Sequence, residues 1–279
     1  MNLKTTLFAA LAVLLCACSC ASDGPSPLKV SLDGRLHADS PFDHSHHELD
    51  KLLAAYVSRE GVRYADLAGE SGKLDSYLAG VQAVSPEELA SWTRPQRFAF
   101  WINAYNAHIL KLIIENYPLD SIRDLGGISV FGQVWDMELI PMEAHNPDGG
   151  GAALSFNDLE HKILRPDFED ARVHAAINCA SESCPPLSNE AFVADRLEEQ
   201  LDGAMTAFIV DSKRNHLRSE SGELELSRIF DWFEGDFIRD EGSVREYVLR
   251  FAGDAGAPWI LEAGTSYLDY SWALNDLSK

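Results

Sequence analysis

The residue types best suited to chemistry gather between positions 160 and 184. Cys179 and Cys184 bracket a short loop that runs into Pro185 and Pro186; His174 and Asn178 precede it, and Glu160–His161 comes shortly before. A thiol becomes a nucleophile where a neighbouring imidazole or a helix N-terminus favours the thiolate, and a polar third group then orients that imidazole. On this pattern Cys179 is the candidate nucleophile and His161 or His174 the candidate base. Glu160, or an asparagine from a neighbouring helix, is the candidate orienting group. The reaction would be acyl transfer, the hydrolysis or exchange of an amide or thioester, with backbone N–H groups near Cys179 as oxyanion donors.

The same residues allow other readings. Cys179 and Cys184 are the only cysteines away from the N-terminus, and in an oxidising compartment they can form a disulfide, structural or redox-active. Five positions of separation permit the required Cα approach in a turn but not in an extended strand. So small a loop gains only about 2 kcal/mol by chain-entropy arguments. A metal would recruit Cys179, Cys184, His174 and His161, but their spacing matches no zinc finger, and no metal or other cofactor is expected. A different class of function, a non-catalytic module binding a small molecule or envelope partner in an aromatic cleft, fits the composition as well.

The elements that must position these residues are mostly helical. Leu49, Leu52, Leu53, Tyr56 and Val57 share one helical face behind a capping box of Ser45 and Glu48. The His44, His46 and His47 cluster there reads as a solvated helix start rather than a metal site. A helix follows over Leu74–Val81, and Ser85-Pro86-Glu87-Glu88 opens another. The strongest helix is expected from about Arg94 to Asn116, apolar nearly all round, and Tyr117–Pro118 closes it. Gln96, Asn103 and Asn106 lie close to one line along it; they either tie down neighbouring loops or, for Asn103 and Asn106 together with Asn178, line a substrate pocket. His108 on the same helix reads as a satisfied core group.

Ser155 and Asp158 start a short helix that carries Glu160–His161 and is expected to end at Pro166. Alternation over Val173–Asn178 predicts a strand. A helix over Leu197–Ile209, a hairpin around Ser221–Gly222, a last helix capped by Ser243 and Glu246, and an extended segment at Tyr267–Trp272 complete the pattern. The expected fold class is α+β: an α-rich single domain over 46–279 with a small antiparallel or mixed sheet.

The chain has 279 residues and a formal net charge of −21. That charge argues against binding nucleic acid through phosphates. Lys4 followed by the apolar run Leu7–Leu15 has the layout of a secretory signal. Leu15-Cys16-Ala17-Cys18 resembles the lipobox of bacterial lipoproteins, which implies a signal peptide over 1–17 and lipidation of Cys18. Cleavage after Ala21 is the competing reading. Residues 18–45 then form a lipid anchor and flexible tether. The expected partner is a membrane, reached through that lipid, and the expected location is the cell envelope, on the periplasmic side of the outer membrane.

Several blocks resemble the bacterial domain-of-unknown-function 547 family. They are Phe100–Asn106 (Phe-Trp-Ile-Asn-Ala-Tyr-Asn), Tyr117–Ile122, Leu159–Pro166, Val173–Leu187 with its Asn-Cys and Ser-Cys-Pro-Pro-Leu pieces, and Tyr267–Asp276. The blocks run in the family's order. Where this chain has Ala175–Ala176, the family usually shows a bulkier pair, which implies a wider space beside His174. The resemblance bears on fold and extent and brings no activity with it.

Overall fold

The computed structural model describes residues 41–126, 133–149, 151–253 and 258–277. The expected signal peptide, the expected lipidation site Cys18 and the expected tether up to residue 40 lie outside the described residues. Entry into the first helix departs from expectation. The Asp43 carboxylate takes the Ser45 hydroxyl at 2.7 Å, so no capping box with Glu48 forms. His46 instead turns the chain at φ 50°, and α1 runs His47–Tyr56. Nor is the histidine cluster wholly solvated. His46 is buried with Nδ1 2.7 Å from the Tyr77 hydroxyl, and His44 sits edge-on against Trp92.

A two-residue ladder, β1 (Val57–Ser58) with β2 (Gly61–Val62), follows α1. Next come α2 (Tyr64–Ala68), α3 (Ser71–Ala83) and α4 (Pro86–Ser91), where the Ser85 side chain accepts from Glu88 N–H as its spacing predicts. Helix α5 (Arg94–Asn116) is the centre of this half. Thr93 and Gln96 close a reciprocal capping box at its start, which is where the Gln96 amide is used. Every residue from Phe98 to Ile114 is buried, so α5 is a core helix enclosed by α2, α3 and the segments after it.

The next elements are brief. α6 (Phe156–Asp158), capped by the Ser155–Asp158 box, passes into a π-helical turn, Leu159–Leu164, and then α7 (Arg165–Phe168). Pro166 therefore does not end the helix. Arg165 N–H reaches back five residues to the Glu160 carbonyl, and Pro166, lacking an N–H, needs no partner in so wide a turn. The strand expected over Val173–Asn178 is instead a helical turn, α8 (Val173–Ala176), followed by extended backbone. Alanines at 175 and 176 favour helix, and a six-residue alternation cannot distinguish the two periods once both faces are buried.

The C-terminal half contains α9 (Leu197–Ile209), α10 (Ile229–Trp232), α11 (Glu234–Glu241), α12 (Val244–Phe251) and a three-stranded sheet. The expected hairpin is β3 (His216–Arg218) against β4 (Glu223–Leu226), antiparallel, and β5 (Gly264–Tyr267) adds to β4 in parallel. The sheet is thus mixed and the protein α+β. Extended structure at the C-terminus starts at Gly264 and its strand stops at Tyr267. No helix among the described residues is long and apolar enough to cross a membrane.

Apolar side chains divide into two clusters. One surrounds α5; the other joins α9–α12 to the sheet. Helix α8 lies on their seam, since Val173 and Ala176 pack in the first cluster and Ala175 in the second. The Asn106 amide fixes the seam from the α5 side, donating to Ala176 C=O at 2.9 Å and accepting from Asn178 N–H at 2.9 Å. The last residues return to the N-terminal ladder, with Val62 N–H on Asn275 C=O and the Tyr64 hydroxyl on Asn275 Oδ1. A Cβ on Gly61 would collide with that Asn275 carbonyl, so this approach requires glycine.

Asn106→Ala leaves Asn178 N–H and Ala176 C=O buried without partners. Urea unfolding is expected to show a loss of about 2–4 kcal/mol. A loss below about 0.5 kcal/mol would mean that water replaces the amide.

Candidate functional site

A small cleft opens at the seam. The π-helical turn contributes Glu160 and His161, α8 contributes His174, and the following loop contributes Cys179 and Cys184. Aromatic side chains close the rest: Tyr105 from α5, Trp135, Trp232 from α10, Phe233, and Tyr270 and Trp272 from the C-terminal segment. Trp232, Tyr270 and Trp272 are mutually packed with centroids 4.6–6.0 Å apart, and Arg123 lies over the Trp272 ring. All four candidate catalytic residues read from the sequence thus face one cleft.

Their chemistry is set by a neighbour the sequence did not expose. Asp236 of α11 accepts from His174 Nε2 at 2.8 Å and from Arg165 Nε at 2.7 Å. Burial pushes the Asp236 carboxyl up, but these hydrogen bonds and the neighbouring charges outweigh it and hold the group well below the usual carboxylate range. Burial pushes His174 down by more than Asp236 raises it. A neutral His174 donating from Nε2 to an ionised Asp236 satisfies both directions. Its Nδ1 lone pair then faces Glu160 Oε1 at 3.9 Å, beyond direct hydrogen-bond length.

Glu160 has no hydrogen-bond partner among the described residues, and its side chain is 14% exposed. Burial pushes its pKa up to about 7; Arg165 pulls the other way and Asp236 adds to the rise. A carboxyl that keeps its proton near neutrality can act as a general acid. His161 is held differently. Arg165 Nη1 lies 2.8 Å from His161 Nδ1, and since arginine only donates, Nδ1 accepts and Nε2 carries the proton. Burial, and after it the Arg165 charge, hold His161 below its ordinary pKa, so it is a neutral N–H donor. Phe233 stacks on His174 at 3.9 Å between centroids and carries the Arg165 guanidinium on its ring.

Cys179 and Cys184 are joined as a disulfide, with Cα atoms 6.4 Å apart and Ala180 at φ 62° turning the loop. Cys179 is therefore not a free thiol in this structure, and of the readings of the two cysteines the bridged one is the state seen here. The sulfurs' hydrogen-bond partners among the described residues are Cys179 N–H, the Ser181 hydroxyl and the Tyr270 hydroxyl; no histidine is among them. The expected substrate-binding amides do not line the cleft. Asn103 pairs with the backbone of Phe192 in both directions, Asn106 with Ala176 and Asn178, and Asn178 donates to Pro185 C=O and accepts from Ala180 N–H. They tie down loops. His108 is buried in α5, and burial pushes it down to about 3. No group of three or more His, Cys, Asp or Glu among the described residues is arranged to hold a metal.

Sequence reasoning missed Asp236, Tyr270 and the tryptophans. Asp236 lies 62 positions from His174 in a helix rich in charge, with nothing local to single it out. Tyr270 and Trp272 fall in a block noted for resemblance but not for chemistry.

Fold and site define an α+β protein with an aromatic cleft holding a perturbed glutamic acid. Residues 89–209 match the model of a family described as a protein of unknown function, DUF547. That match supports the family resemblance over α5, the π-turn, α8 and the disulfide loop, and it stops before α10. No curated protein and no solved structure matches the chain.

The Glu160 pKa makes stability depend on pH. An unfolded glutamate ionises near 4.5 and the folded one near 7, so wild-type protein loses stability as pH rises between those values. Glu160→Gln removes that loss. Denaturation curves are expected to coincide near pH 4 and to favour the variant by about 3 kcal/mol at pH 8. Parallel behaviour across the range would mean that the carboxyl titrates normally.

Proposed function

We propose that this protein is an acid–base hydrolase of the cell envelope, with Glu160 as the proton donor. The observation that carries the reading is the Glu160 carboxyl, without a hydrogen-bond partner among the described residues and pushed up to about 7 by burial in an aromatic cleft. A substrate with an apolar face packs against Trp135, Trp232 and Trp272, and its scissile group meets Glu160 and His161. Protonated Glu160 gives its proton to the departing oxygen or nitrogen, water attacks the scissile centre, and the proton that water loses returns to the Glu160 carboxylate. His161 Nε2–H donates a hydrogen bond to an oxygen that gains charge. The His174–Asp236 pair positions an acceptor nitrogen beside Glu160, ready to receive a proton when the carboxyl shifts toward it. An acyl-transfer route through Cys179 requires the reduced thiol.

The cleft's location follows the proposed export. Cleavage before Cys18 and lipidation there would anchor the chain on the periplasmic side of the outer membrane, with residues 18–45 as the tether. A second reading, a lipid-anchored binding protein without catalysis, draws support from the apolar cleft wall and from the Cys179–Cys184 bridge.

A panel of 4-nitrophenyl esters, 4-nitrophenyl glycosides and peptide 4-nitroanilides tests the hydrolase. At least one class is expected to be cleaved, with kcat/KM falling as pH rises through about 7. Glu160→Gln should lower that rate by roughly 10²–10⁴-fold. If the panel is inert while the same compounds quench tryptophan fluorescence equally in both proteins, the binding reading replaces it. For the anchor, Cys18→Ser should move the exported protein from the membrane fraction to the soluble envelope fraction; unchanged fractionation would count against lipidation.

A further inference from the structure

The cleft wall holds a second reactive group that the Glu160 chemistry does not use. Cys179 and Cys184 both line the cleft, and the two sulfurs differ in surroundings. Cys184 is 3% exposed, whereas Cys179 is half-buried. Two donors converge on Cys184 Sγ: Cys179 N–H at 3.1 Å and the Tyr270 hydroxyl at 3.2 Å. Among the described residues Cys179 Sγ meets the hydroxyls of Ser181 at 3.3 Å and Tyr270 at 3.5 Å, which lie 2.9 Å from each other. Arg214, buried and paired with Asp211, donates to the Cys184 carbonyl and fixes the loop from behind. Donors aimed at a sulfur favour its thiolate, and a stabilised thiolate is the better leaving group.

We propose that Cys179–Cys184 is a dithiol–disulfide exchange centre, in which a dithiol entering the aromatic cleft attacks Cys179 and Cys184 leaves as the stabilised thiolate. In the first step a thiolate of the dithiol bonds to Cys179 Sγ. The bond between the two cysteines breaks, and its electron pair stays on Cys184 Sγ, which accepts the hydrogen bonds of Cys179 N–H and Tyr270. In the second step the other sulfur of the dithiol attacks the dithiol sulfur already bound to Cys179. That forms the dithiol's own disulfide and releases Cys179 as a thiolate. The chain's disulfide gains two electrons and two protons, the dithiol loses the same, and no further oxidant enters. The reverse sequence reoxidises the pair. The asymmetry between the two sulfurs distinguishes this centre from a bridge that only closes a loop.

Both cysteines fall in the tryptic peptide spanning residues 173–196, so mass spectrometry of the alkylated full chain reads them apart from Cys16, Cys18 and Cys20. Dithiothreitol at millimolar concentration is expected to reduce the pair in the folded protein without denaturant. Tyr270→Phe should make that reduction about tenfold less favourable, equivalent to about 30 mV for a two-electron couple. With oxidised glutathione, reduced Cys184→Ser is expected to form the mixed disulfide at Cys179 at least tenfold faster than reduced Cys179→Ser forms it at Cys184. The proposal is overturned if the pair stays oxidised until the protein unfolds, or if the two single-cysteine variants react alike. The wild-type experiment decides the matter even if Tyr270→Phe does not fold.

Discussion

A buried, ionised carboxylate must be surrounded by donors, and Asp236 satisfies that demand with groups from three separate parts of the chain. Its oxygens take hydrogen bonds from Arg165 just after the π-turn, His174 on α8 and Arg239 on its own helix. Removing one of these donors would leave part of the carboxylate without a hydrogen bond in a region of low dielectric, which costs more than the bond itself contributes. The carboxylate therefore fixes the relative position of α11, α8 and the π-turn. The acid–base arrangement of the cleft follows from that junction: the tautomer of His174, the placement of Arg165 against His161, and the part of the field that raises Glu160.

The junction also explains how two carboxyls close together behave in opposite ways. Asp236 is supplied with donors and stays ionised; Glu160, across the imidazole, has none among the described residues and keeps its proton to about pH 7. Arg165 lowers both but hydrogen-bonds only Asp236. Separation of pKa values by unequal solvation is what acid–base chemistry at neutral pH requires. The aromatic residues add to it by excluding water that would otherwise solvate a Glu160 carboxylate.

Much of this architecture was legible in the sequence, in proportion to how local its causes are. The seventeen-residue buried stretch of α5, the Ser85 and Ser155 caps and the Ser221–Gly222 hairpin all depend on residues within one or two turns, and these elements lie where the spacing placed them. Grouping Glu160, His161, His174, Cys179 and Cys184 also proved possible, because only the span from 160 to 184 separates them. What failed was non-local. Alternation at 173–178 was read as a strand because the sequence does not reveal that apolar surface covers both faces of α8. The asparagines Asn103, Asn106 and Asn178 look like pocket residues by type, yet buried backbone groups of distant loops claim them. Asp236 was invisible because only the tertiary fold brings its charge to His174.

The π-turn links these observations to the reach of the family match. An α-helical path through 159–168 would place Pro166 where an N–H is needed, whereas the wider turn lets Arg165 bond to Glu160 C=O and continue. Such turns often occur at functional sites, and this one places Glu160 and His161 on the cleft while Arg165 turns back to Asp236. The turn, α8 and the disulfide all lie inside the matched segment 89–209, whereas Asp236, Trp232, Phe233, Tyr270 and Trp272 come after it. The matched segment thus carries Glu160, His161, His174 and the Cys179–Cys184 bridge. The C-terminal part supplies the carboxylate that tunes them and most of the wall a ligand would touch. A division of that kind predicts where specificity resides: changes beyond residue 209 alter what enters the cleft, while changes within it alter what can be done there.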